Sequence, residues 1–155
     1  MTRTAGCGLR ACVAPVLFFY CASANPLHAQ QIRREVGVQA YALLGDADRI
    51  GGGLYGALRV GPRARLSLFT GLGGADGGTA GRVETLAHFL LAPGRKQGAG
   101  FYLAGGLAAD VAERTEARIV GLVGAEGRPG ARSGWMLEAG VGGGWQVAAG
   151  WRWRR

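Results

Sequence analysis

His88, with Glu84 four residues before it and Ser67 upstream, is the constellation in this chain closest to acid–base or nucleophilic chemistry. A nucleophilic serine needs an imidazole within hydrogen-bond reach, and the imidazole in turn needs a third group to orient it. Glu84 and His88 share one face of an extended segment, which separates them by roughly 13 Å. That is too far for the carboxylate to orient the ring. Gly51-Gly52-Gly53 and Gly142-Gly143-Gly144 match fragments of phosphate-cradling patterns, but they lack the strand-loop-helix context such loops need. The reading is therefore no catalytic residue, no metal site and no cofactor.

The remaining charges form a second constellation. Arg59, Arg65, Arg118 and Arg152, with Arg154 a further candidate, fall on the same alternating face as Glu84, His88, Glu126 and Glu138. If that face is enclosed, buried charges must be paired. The expectation is an interior salt-bridge network that fills a lumen.

These residues are positioned by a chain with a distinct beginning. Arg3 and Arg10 precede the apolar run Ala11 to Cys21, and Leu27-His28-Ala29 ends on a small residue. That is the pattern of a secretory signal peptide over residues 1–29, with cleavage after Ala24 as the alternative. The three cysteines, Cys7, Cys12 and Cys21, leave with it, so no disulfide or thiolate metal site is expected in the mature chain. Loss of Arg3 and Arg10 leaves 16 basic residues against 10 acidic ones, a net charge of +6. Export and the dispersal of the arginines argue against a nucleic-acid partner. Residues 30–155 then form one domain.

From Val36 onward eight segments alternate, each bounded by Gly, Pro or Asp. They run Val36 to Leu44, Ile50 to Val60, Ala64 to Leu72, Val83 to Leu91, Phe101 to Ala109, Ala117 to Glu126, Trp135 to Gly142 and Trp145 to Arg155. In the last, Trp145, Val147, Ala149, Trp151 and Trp153 share one face, with Gln146, Ala148, Gly150, Arg152 and Arg154 on the other. Segments of about nine to eleven residues match a tilted membrane strand. Three connections are basic: Gly61-Pro62-Arg63, Pro93-Gly94-Arg95-Lys96 and Arg128-Pro129-Gly130. The intervening ones hold Asp46 and Asp48, then Asp76, then Asp110 and Glu113. An up-and-down barrel puts alternate connections at opposite ends, so one rim is expected to be basic and the other mildly acidic.

Two features place the apolar face outside. The charged face is mostly Gly and Ala between its charges, which suits the crowded interior of an eight-stranded barrel. Phe89, Phe101, Trp135, Trp151 and Trp153 sit at strand ends near the basic rim, with Trp145 at the other, as in an aromatic girdle at a lipid interface.

With its signal peptide, eight amphipathic strands, Pro/Gly turns at one end and a last strand ending Trp151-Arg152-Trp153, the chain resembles the small bacterial outer-membrane β-barrels of the OmpA and OmpX type. It differs in carrying Arg154 and Arg155 after the aromatic. The resemblance implies an all-β, eight-stranded antiparallel up-and-down barrel in the outer membrane. Its partners would be membrane lipid and the insertion machinery, and its role structural or interaction-based. One alternative is a soluble, exported lipocalin-like barrel, periplasmic or secreted, that binds an apolar ligand inside. The other is an outer-membrane lipid-modifying enzyme. Lipid deacylases resemble this architecture, but their His-x-Ser arrangement is missing, because Phe89 and Leu90 follow His88.

Overall fold

The computed structural model describes residues 34–45, 48–75, 78–112 and 115–155. The expected signal peptide lies outside the described residues. Eight strands form: β1 Arg34–Leu44, β2 Arg49–Arg59, β3 Ala64–Ala75, β4 Gly78–Leu90, β5 Ala99–Val111, β6 Thr115–Gly127, β7 Ser133–Val141 and β8 Trp145–Arg154. Each pairs antiparallel with its neighbour in sequence, and β1 closes against β8 to complete a barrel. This is the up-and-down, all-β architecture expected from the alternation. No described residue is helical.

Closure matters physically because it leaves no edge of unpaired backbone groups. The seam pairs Val36 with Trp153, Val38 with Trp151 and Ala40 with Ala149. Beyond it, Arg34 N–H donates to Arg155 O at 3.1 Å and Arg155 N–H to Arg34 O at 2.9 Å. Both ends of the barrel sequence therefore meet at one rim.

Strict alternation of environment runs along the strands. In β1 every second residue from Glu35 to Leu43 is buried, while Val36 and Val38 are exposed. The sense is inverted relative to a water-soluble protein. Leu54, Leu66, Leu68, Leu103, Leu107 and Val123 stand on the outer surface, with Ile119 82% exposed. Arg65 and Arg152 are completely buried.

The connections sort by end. Residues 60–63, 91–98 and 128–132 lie at the rim that holds both ends of the barrel, and β1, β3, β5 and β7 end at the other, where residues 142–144 lie. The tightest described turn, Gly142-Gly143-Gly144, depends on glycine. Gly143 and Gly144 have φ of 92° and 133°, a region side chains rarely adopt.

Two sequence expectations change here. β3 and β4 extend into the glycine-rich stretch that reads as a long loop, so β4 begins at Gly78 and not at Val83. Asp110, expected in a connection, belongs to β5 and points inward, 5% exposed. Both corrections share a cause, because residues without large apolar side chains give no alternation signal yet still pair through their backbone.

Candidate functional site: the charged lumen

Eight strands enclose a narrow interior, and the inward side chains occupy it in three tiers. The tier nearest the rim of the termini gathers two carboxylates and four guanidiniums. Arg65 Nη1 donates to Glu126 Oε2 at 2.9 Å and to Glu35 Oε2 at 3.3 Å. Arg152 lies against both carboxylates, 3.4 Å from Glu35 and in direct contact with Glu126. Arg154 donates through Nε to Glu35 at 3.3 Å, and Arg59 reaches the same carboxylate at 3.7 Å. These groups come from β1, β2, β3, β6 and β8, so the tier ties strands together across the lumen. Arginine suits this task because its planar fork serves several carboxylate oxygens at once.

The middle tier contains Glu138 without a guanidinium hydrogen bond. Gln39 Nε2 donates to one oxygen at 3.0 Å and Tyr102 Oη to the other at 2.8 Å. Tyr102 also links the tiers, since the Arg65 guanidinium lies 4.9 Å from its ring centroid. A Cβ on Gly124 would collide with the Tyr102 ring, so that glycine makes room for the tyrosine.

The third tier faces the opposite rim. Arg82 donates to Glu84 at 2.8 Å, to Asp110 at 3.0 Å and to Gln146 at 2.9 Å, while Gln146 donates back to Glu84 at 3.2 Å. Arg49 reaches Asp110 at 3.5 Å, and Arg118 reaches it at 3.9 Å while pairing with the exposed Glu116 at 2.5 Å. Among the described residues this end carries four acids, Asp48, Glu84, Asp110 and Glu116, against Arg49, Arg82 and Arg118, with Arg82 and Arg118 paired to acids of the tier. Asp46, Asp76 and Glu113 lie outside the described residues.

The eight network residues named from sequence all point inward, but they do not form one cluster. Arg59, Arg65, Glu126 and Arg152 meet in the first tier, with His88 beside Arg65. Glu138 stands in the second, and Glu84 and Arg118 in the third. Sequence reasoning missed Glu35, Arg82 and Asp110, and it named Arg154 only as a further candidate. The signal was available in the period of two. Glu35 continues the inward row Gly37, Gln39, Tyr41; Arg82 continues Glu84, Leu86, His88; and Asp110 continues Ala104, Gly106, Ala108.

Ser67 and His88 do meet, with Ser67 Oγ 2.7 Å from His88 Nε2. The other ring nitrogen decides what the contact can do. Arg65 Nη2 lies 3.1 Å from His88 Nδ1, and a guanidinium can only donate. Nδ1 therefore accepts, the ring carries its hydrogen on Nε2, and Nε2–H donates to Ser67 Oγ. A general base needs the reverse arrangement, with Nε2 free to take the hydroxyl proton. Glu84 does not orient the ring either, being held by Arg82 and Gln146. Among the described residues no three metal-ligating side chains cluster.

The six aromatics expected at the lipid interfaces all stand on the outer face, whereas Tyr41, Tyr55, Phe69 and Tyr102 point into the lumen. Phe89, Phe101, Trp135, Trp151 and Trp153 lie toward the rim of the termini, where Trp135 pairs with Trp151 across β7 and β8. Trp145 lies at the other end, between Leu44 and Val141. An outward apolar face is the opposite of what a lipocalin-like ligand barrel requires, so that alternative loses its binding cavity.

No family matches the chain by sequence, and no curated protein does. Solved structures do match. The N-terminal β-barrel domain of Pseudomonas aeruginosa OprF aligns with a TM-score of 0.54 at 18% identity, covering 78% of this chain and 97% of that one. The de novo designed TMB2.3 aligns with a TM-score of 0.50 at 15% identity, over 81% and 97%. At these identities the likeness is one of fold, and the chain is an eight-stranded, closed, up-and-down β-barrel of the same architecture as the OprF domain.

Proposed function

We propose that the chain is a small outer-membrane β-barrel whose lumen is closed by its own charge network and whose role is structural or interaction-based, with no enzymatic step. The observation that carries this is the inversion of the barrel: a continuous apolar outer face surrounds completely buried arginines and glutamates. In water that face would be a very large apolar patch. In a bilayer it is the expected lipid contact, with the outward aromatics at both ends as interfacial anchors. Export through the signal peptide and assembly by the outer-membrane insertion machinery complete the reading.

The short connections at the rim opposite the termini favour a compact scaffold over a long-looped receptor. A substitution in the middle of the outer face tests the proposal. Leu107→Arg places a charge against lipid and should lower stability by ~2–4 kcal/mol in a bilayer. On a water-exposed surface the same change should stay within ~0.5 kcal/mol. Urea unfolding of the protein in phospholipid vesicles distinguishes the two, and the smaller effect would sink the membrane reading.

A further inference from the structure

One part of the outer face is not a smooth apolar wall. Gly56 in β2 faces outward, paired with Val36 of β1 and Leu68 of β3, and a Cβ placed on it would meet nothing within 4 Å. Gly56 lies in the floor of an open groove of about 660 Å³ with walls from Leu54, Leu58, Leu66 and Leu68. Such a volume lies in the range of ~300–1,000 Å³ typical of small-molecule sites. The groove is not apolar throughout, for Arg34 lines it at the rim of the termini. Arg34 pairs with Leu58 and shares the outward side of β1 with Val36.

The surroundings of Arg34 have one sign. At this rim the exposed charges among the described residues are Arg34, Arg63, Arg95, Lys96, Arg128, Arg132 and Arg155. The carboxylates nearest this rim, Glu35 and Glu126, are buried in the lumen and already engaged with arginines. An apolar groove that ends at an exposed guanidinium, on a rim where no described Asp or Glu side chain is exposed, is complementary to an acyl chain with an anionic head.

Resting on the membrane reading above, we propose that the Gly56 groove seats one acyl chain of an anionic phospholipid and that Arg34 takes its phosphate. A second copy of the chain fits less well. Two barrels inserted in the same direction and joined along this face would bring their cationic rims together, which like charges oppose.

The test uses the folded protein in phosphatidylcholine bilayers containing a minor fraction of phosphatidylglycerol. After mild detergent extraction, retained lipid is counted by native mass spectrometry. The expected result is one phosphatidylglycerol held in preference to phosphatidylcholine. Gly56→Leu raises a side chain from the floor of the groove into the path of the acyl chain and should strongly reduce retention. Arg34→Gln leaves the shape of the groove intact and should reduce the preference about fivefold, equivalent to ~1 kcal/mol. It keeps the test decisive if the Gly56 variant folds poorly.

Equal retention by Gly56→Leu and wild type, or no headgroup preference in wild type, would overturn the proposal. A dimer that Gly56→Leu dissolves would assign the groove to a second copy and overturn it too. Failure of the wild type to insert into the bilayer would defeat the membrane reading itself, whereas insertion without retained lipid would defeat this proposal alone.

Discussion

Glu126 and Glu138 are both carboxylates in the same lumen, yet their surroundings make them differ in consequence. Glu126 balances Arg65, Arg152 and Arg154. Its loss leaves buried guanidiniums short of counter-charge, a class of change that costs ~3–5 kcal/mol. Glu138 accepts only from Gln39 and Tyr102. A carboxamide there can keep most of that hydrogen bonding, so Glu138→Gln should cost about 1 kcal/mol or less. Urea unfolding midpoints in lipid vesicles should therefore fall far more for Glu126→Gln than for Glu138→Gln, and equal losses would contradict the tiered network. His88 sits in the first tier as an acceptor for Arg65 and a donor to Ser67. His88→Ala and Ser67→Ala should leave the lipid composition of the host membrane unchanged, checked by mass spectrometry of extracted lipid. A change dependent on His88 would restore the enzyme reading.

At the scale of strands, room matters as much as charge. Gly124 and Gly121 lie three residues apart in β6, an odd spacing that puts them on opposite faces of the strand. A Cβ at Gly124 meets the Tyr102 ring, while one at Gly121 meets nothing within 4 Å. Gly124→Ala should displace Tyr102 from Glu138 and cost ~1–3 kcal/mol. Gly121→Ala should change stability by less than ~0.5 kcal/mol. Differential unfolding of the pair checks this, and a similar cost at both sites would refute the account of Tyr102 packing. The same glycines limit what can be read without coordinates. Strands such as β1 and β8, with Val, Leu and Trp on one side, were legible almost residue by residue. The Gly73 to Arg82 stretch was not, because alternation is detected through side chains and glycine supplies none. The residues lost with it were important ones. Arg82, the centre of the third tier, lies four residues inside β4, one position before the start that alternation gives, and Glu35 and Asp110 stand next to strand ends. Alternation named their faces but could not say that pairing continued so far, and the grouping of charges into tiers depends on the register between strands distant in sequence.

For the molecule as a whole, the account rests on one inversion: apolar side chains outside, ion pairs inside, and aromatics at both ends of the outer face. A soluble barrel of this sequence would expose Leu54, Leu107, Ile119 and Trp145 to water and should aggregate. In a bilayer the same surface is satisfied, and the closed ladder from β1 to β8 leaves no backbone edge to lipid. The most direct measurement is fractionation of the producing cells followed by gel electrophoresis of the protein with and without boiling. The account predicts recovery in the outer-membrane fraction and a heat-dependent shift in mobility, as the closed barrel resists detergent until heated. Recovery in the soluble fraction with identical mobility before and after boiling would contradict it.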